Sequence, residues 1–256
     1  MRFVFSALLG LFLLLSGNVA VAQISNINDA INKAGSLRYH AHRLGKLYIQ
    51  IGMGVDAERS QRLLDSAIPV YDRRLVELKN YAPTPEIKES YLALEKTWIG
   101  YKDLLVGAKP SQDGARKVVE ISDQVVAIAN KATGQLATHS GSTQGGLVNV
   151  SGRQRMLSQR MAKYTQAISW GVAPATAAAE VAKDKVEFAQ KLDELAAAPS
   201  NTSAIKDQLA LGRQQWMFFD IALSEKKTNS LTVATTSERI LEVMDNVVGM
   251  YEKLAK

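Results

Sequence analysis

The chain has 256 residues, with 31 Lys and Arg against 25 Asp and Glu, three His, no Cys and 46% apolar residues. At about 100–200 residues per domain this is one or two domains with room for a hydrophobic core, and the absence of Cys excludes disulfides, thiolate zinc sites, iron–sulfur clusters and a cysteine nucleophile. The net charge of +6 does not read as a nucleic-acid footprint, because basic and acidic residues interleave along helical patterns, as in Asp72-Arg73-Arg74 followed by Glu77 and Lys79.

The first 22 residues read as a secretory signal peptide. Met1-Arg2 is a short positive segment, Phe3 to Leu15 is apolar apart from Ser6 and Gly10, and Ala20-Val21-Ala22 before Gln23 is a small-residue cleavage site; an uncleaved anchor is the alternative. No later stretch approaches about 18 consecutive apolar residues. The product from residue 23 onward is therefore expected to be exported and soluble, periplasmic or secreted, without a lipoprotein anchor and without room for an output domain.

Beyond residue 25 the apolar positions recur with a period near 3.6, as in Leu64, Ala67, Ile68, Tyr71, Leu75 and Leu78. Breaks fall at Ala82-Pro83-Thr84-Pro85, Lys109-Pro110-Ser111, the Gly/Ser-rich stretch 140–146 and Ala198-Pro199-Ser200-Asn201. Thr84-Pro85-Glu86 combines an N-cap, Pro at the first helical position and an acid that suits the helix dipole; Ser111-Gln112-Asp113 and Ser237-Glu238 carry similar start signals. These marks predict helices over 25–54, 57–80, 85–107, 112–138, 147–172, 175–197, 202–224 and 231–255. The expected fold is all-α, two antiparallel four-helix bundles joined by short loops.

The two halves are copies. Shifted by 117 positions, Asn32, Gly35, Arg38, Arg43 and Lys46 lie over Asn149, Gly152, Arg155, Arg160 and Lys163, all identical. Tyr71 lies over Phe188, Leu75 over Leu192 and, one position further, Trp98 over Trp216; near the end Asp123-Gln124-Val125-Val126 matches Asp245-Asn246-Val247-Val248 at a shift of 122. Solenoid units are about 20–50 residues, so this spacing means duplicated domains. The division is 23–140 for the first module, 141–146 for a flexible linker and 147–256 for the second.

At roughly 100° per residue, Leu37, Ala41, Leu44, Tyr48 and Ile51 form one apolar stripe, with Arg38 at its edge above the small Ala34 and Gly35. Arg155 sits likewise above Ser151 and Gly152. A guanidinium offers a fixed fork of donors, always charged, and partial desolvation strengthens its hold on a planar anion. Arg43 is about 140° around the helix from Arg38, so Arg43 and Arg160 read as supporting charges. If the two first helices pair, Arg38 and Arg155 converge, and an anion between them would relieve their repulsion. The plainer alternative is that both are edge arginines paired with acids of their own bundle.

The segment Ile31 to Arg38, with Arg43 after it, resembles the conserved box on the first periplasmic helix of the nitrate/nitrite sensor histidine kinases. Gly152 to Lys163 resembles the version in PilJ-type chemoreceptor sensor domains. The resemblance implies four-helix bundles that pair through their first helices and hold nitrate or a related anion at that interface, with Arg38 and Arg155 as primary ligands, Gly35 and Gly152 granting backbone access and Lys33 tuning the field. Arg43, Arg160, Asn32, Asn149 and His42 would surround the site. Val150 in place of Lys33 departs from the pattern, and the tandem order resembles a covalently linked receptor dimer. The implied function is a non-enzymatic oxyanion-binding sensor protein without cofactor or metal, acting with a membrane receptor or sensor kinase. The alternative is a helical interaction protein that pairs with a chemoreceptor, sensor kinase or pilus-associated partner and binds no ligand.

Other chemistry finds little support. His40 and His42 face about 200° apart and make no helical metal pair; P-loop, Gly-x-Ser-x-Gly and His-Glu-x-x-His motifs are missing. Trp98 and Trp216 read as core anchors, and Met156 and Met161 as packing residues.

Overall fold

The computed structural model describes residues 23–225 and 229–254; the expected signal peptide lies outside the described residues. Those residues form eight α-helices: α1 (Ile27–Met53), α2 (Ala57–Tyr81), α3 (Pro85–Gly107), α4 (Gln112–Ser140), α5 (Thr143–Trp170), α6 (Ala177–Ala196), α7 (Ser203–Ser224) and α8 (Ser230–Lys253). None is long and apolar enough to cross a membrane.

Local chemistry sets the ends. Thr84 Oγ1 accepts from the Ile87 amide and Ser111 Oγ from the Gly114 amide, supplying acceptors for amides that have no partner within the helix. α1 and α5 stop on the same device: Gly54 and Gly171, with φ of 70° and 74°, take the left-handed conformation that other residues resist. The amides of Val55 and Val172 then turn back to the carbonyls of Gln50 and Ala167.

The expected linker and one expected start signal differ from the structure. α5 begins at Thr143, so most of the expected linker is helix; Ser142 caps it through the Gly145 amide at 3.0 Å. Gly145 is there for space, because a Cβ would lie 2.7 Å from Ser140 Oγ and 3.1 Å from Ile31 Cδ1. Ser237-Glu238 is not a helix start but lies inside α8, with Ser237 buried and Glu238 partly so; Asn229 caps the helix.

Each half is an antiparallel four-helix bundle, α1–α4 and α5–α8. In each, the first helix packs closely on the second and fourth, and the third on the fourth. Of the neighbouring pairs in each bundle the second and third helices approach least closely, and aromatic stacks bridge them: Trp98 on Tyr71 at 3.8 Å in one half, Trp216 on Phe188 at 4.4 Å in the other. Tyr101 and Phe219 close each stack edge-on, and Trp98 Nε1 donates to Asp72 Oδ1 at 2.6 Å. Both tryptophans are thus packing residues, as their matching positions indicated.

The halves join through α1 and α5, the most intimate helix pair of the fold. Gly52 on α1 accepts the Trp170 ring of α5, and a Cβ there would meet Cζ2 at 2.8 Å. Gly52→Ala is expected to lower stability by about 1–3 kcal/mol through overpacking. Adding Trp170→Leu should recover part of the loss; equal urea midpoints for wild type and Gly52→Ala would contradict this packing.

Candidate functional site

α1 has one acidic residue, Asp29, and α5 has none, yet both carry several cations. Apart from Lys33, which reaches Asp29, no cation of α1 and none of α5 can find a carboxylate one helical turn away on its own helix, so their partners must come from elsewhere. Both helices are enclosed nearly all round, burying Ser36, Arg38, His40, His42, Lys46 and Gln50 on α1 and Gln154, Arg155, Ser158, Gln159, Lys163 and Gln166 on α5. The single apolar stripe expected for the first helix is therefore only part of its packed surface, and Arg38 lies not at an edge but 1% exposed.

α1 and α5 run parallel and in register. Gly35 faces Gly152 so closely that a Cβ on either would be 3.9 Å from the other's Cα. Both arginines fold into this crossing: a Cβ on Gly35 would lie 3.2 Å from Arg38 Nη2 and 3.3 Å from Arg155 Nη2. The contacts across the pair are reciprocal. Arg38 Nη2 donates to the Asn149 carbonyl at 3.3 Å, and Arg155 Nη2 to the Asn32 carbonyl at 3.2 Å and to Asn32 Oδ1 at 2.8 Å.

The outer ends differ. Arg155 Nη1 meets the carboxylate of Asp245 on α8, and its guanidinium lies 5.1 Å from the Tyr39 ring centre. Arg38 Nη1 instead donates to the neutral amide oxygen of Asn130 on α4, at 3.1 Å, and forms no ion pair among the described residues. Burial first, then Arg155 and Arg153, pull the Arg38 guanidinium down to about 9, still above neutral pH. The Nε of each arginine, and Asn149 Oδ1, are buried without a hydrogen-bond partner.

About two helical turns on, two lysines clamp the halves together. Lys46 Nζ crosses to α8, bonding Ser237 Oγ at 3.0 Å, Glu238 Oε1 at 2.5 Å and Gln159 Oε1 of α5 at 2.7 Å. Lys163 Nζ crosses to α4, bonding Ser122 Oγ at 2.8 Å and Asp123 Oδ1 at 2.6 Å. These contacts make Ser122-Asp123 the counterpart of Ser237-Glu238, and Asn130 that of Asp245. The shift is 115, not 122. The mismatch of seven residues is two helical turns, which keeps every residue on nearly the same face.

The remaining candidates divide. Asn32 and Asn149 bracket the arginines, and Gly35 and Gly152 permit the crossing. Lys33 is drawn away, to Glu77 of α2 at 3.0 Å and Asp29 at 3.5 Å, so it does not join the arginines. Arg43 forks onto Glu238, and Arg160 onto Asp184 with Glu180 beside it. His42 is buried 3.8 Å from Asp123 with neither ring nitrogen bonded; burial, then Lys163 and Arg160, hold it neutral. His40 packs on Tyr39 and contacts the Ser36 carbonyl. Asn130 and Asp245 went unrecognised as arginine partners because the 122 shift hid their equivalence.

Residues 19–123 and 136–247 each match PilJ, described as the type IV pili methyl-accepting chemotaxis transducer N-terminal region. The chain belongs to the PilJ family. No curated protein and no solved structure gives a significant match. PilJ domains are sensing domains of chemotaxis transducers, and the two matched segments start 117 positions apart, as the arginine motifs do.

Each PilJ repeat also owns one side of a pair of clefts flanking the α1–α5 seam. One, about 450 Å³, is walled by Tyr39, Arg43, Arg59, Glu238, Leu241 and Asp245. The other, about 370 Å³, has Met156, Arg160, Thr176, Asp123, Val126 and Asn130 at the equivalent places, with His42 at its base. The partner of each buried arginine is thus also a cleft wall.

Proposed function

We propose that this protein is an exported sensor-like binding protein for a small oxyanion of the nitrate or nitrite class, held at the α1–α5 seam by Arg38 with Arg155 beside it. The observation that carries the reading is the state of Arg38. A fully buried guanidinium without a carboxylate is costly, and proteins normally pair such charges or let them meet an anion. Arg155, Lys46 and Lys163, buried along the same seam, each have a carboxylate; Arg38 has an amide. Membership in a family of sensing domains agrees with a ligand role, and the resemblance to the nitrate/nitrite sensor box supplies the class of anion.

The modules 23–140 and 147–256 are taken as one sensing unit, signalling through a separate membrane receptor or kinase. A second reading has a specific observation behind it. Leu92, Ile99 and Val106 on α3 are exposed at seven-residue spacing, and Met217, Phe218 and Ile221 are exposed on α7, which suits a protein that docks on a helical partner without binding a ligand.

Calorimetric titration with nitrate, nitrite, sulfate and phosphate decides between them. The expected result is one nitrate or nitrite per chain, abolished in Arg38→Ala with helix content retained. No heat from any anion, or unchanged binding in Arg38→Ala, would overturn the oxyanion reading.

A further inference from the structure

The two cleft-bordered arginines are related by the duplication, but their outer partners are not the same chemically. Asn130 and Asp245 occupy equivalent places on α4 and α8, both solvent-exposed, and each stands between a cleft and the Nη1 of a buried arginine. Asp245 brings a carboxylate, with the charge and two-oxygen geometry of a small planar oxyanion. Asn130 brings an uncharged carbonyl oxygen.

We propose that Asp245 is a built-in occupant of a second anion half-site, and that Asn130 is the exchangeable lid of the working one. Arg155 already holds its anion, supplied by the chain itself. Arg38 holds only the weaker acceptor, which an incoming oxyanion displaces from the cleft containing His42, Arg160 and Asn130. This rests on the oxyanion reading above and adds the stoichiometry, the route of entry and the residues that set them.

An independent observation supports the same asymmetry. Around Arg155 the motif asparagine is fully used, since Asn32 Oδ1 accepts from the arginine and its Nδ2 donates to Glu252 Oε2 at 2.6 Å. Around Arg38 the equivalent Asn149 leaves its Oδ1 buried and unpartnered, and both nitrogens of His42 are likewise free. His42 stands where the second repeat has Gln159, which is committed to Lys46 and the Ser237 carbonyl. Both arginines leave their Nε unmet, but the further unmet groups lie on the Arg38 side, where an oxyanion, which only accepts, would use the N–H of His42.

Charge exchange at these two positions tests the proposal by calorimetry with sodium nitrate on the full chain. The expected results are one nitrate per wild-type chain, two per Asp245→Asn chain, and at least tenfold weaker binding in Asn130→Asp, whose new carboxylate would cap Arg38. Adding Arg155→Ala to Asp245→Asn should return the count to one. If wild type binds one nitrate and Asp245→Asn still binds one, the built-in occupant is refuted while the oxyanion reading stands. If wild type binds none but Asp245→Asn binds one, the occupant stands and the Arg38 reading falls. No binding in either protein overturns both. Unchanged affinity in Asn130→Asp removes the lid. Both positions are exposed, so the variants are expected to fold, and circular dichroism checks that they do.

Discussion

Replacing Glu238 by Gln is expected to lower the unfolding free energy by about 3–5 kcal/mol, the usual cost of breaking a buried ion pair from one side. The side chain is 19% exposed and answers two cations of α1, Lys46 and Arg43, of which Lys46 is fully enclosed. Gln keeps the volume but leaves both charges without a counter-ion at the junction of the halves. Asp123→Asn, at the equivalent place, should cost less, because Asp123 is 35% exposed, so water already screens its pairing with Lys163, and it answers one cation where Glu238 answers two. Urea denaturation of the two variants gives the comparison, and equal losses would contradict it.

The same group sets an acid limit. Against the opposing pull of burial, Lys46 and Arg43 hold the Glu238 carboxyl down at about 2. A carboxyl lowered on folding stabilises fully above its unfolded value, and that contribution is lost as pH falls toward the folded one. Between about pH 4.5 and 2 the wild type should therefore lose on the order of 3 kcal/mol from this site. Glu238→Gln should lack that part of the acid transition, and parallel stability-versus-pH curves would exclude Glu238 as its source.

Arg38→Met is expected to do the opposite to stability. Because Arg38 is buried and answered only by Asn130 and a carbonyl, an apolar side chain of similar length removes an uncompensated charge. The result should lie between no change and a gain of about 4 kcal/mol, with nitrate binding abolished. Arg155→Met should gain less, since its charge is already answered by Asp245, itself 55% exposed. Thermal unfolding without ligand reads both. A clear loss of stability in Arg38→Met would mean that Arg38 serves the fold and that its missing carboxylate does not mark a ligand site.

The helices and their caps were legible because each signal is local: the 3.6 period, Thr84 before Pro85, Ser111 before Gln112. The meeting of Arg38 with Arg155 was legible because the duplication suggested that first helices pair. What escaped depends on neighbours. Gly145 reads as linker in the sequence, whereas in the fold Ser140 and Ile31 leave no room there for a Cβ. Ser237-Glu238 looked like a cap, being a polar pair that serves Lys46 from another helix. Lys33 gave no sign that Glu77 would capture it. The enclosure of α1 was hidden because its buried face is polar, and hydrophobic periodicity does not register polar groups that are buried in pairs. One signal was present and went unread: helices rich in cations and nearly free of acids must draw their carboxylates from other helices.

The parallel seam of α1 and α5 has a consequence for how such a site can change over time. When two identical chains meet on a two-fold axis, every substitution appears on both sides at once, so the two half-sites remain equal. Here both sides belong to one polypeptide, encoded separately. Asn can stand at 130 while Asp stands at 245, and the halves are free to drift toward different tasks.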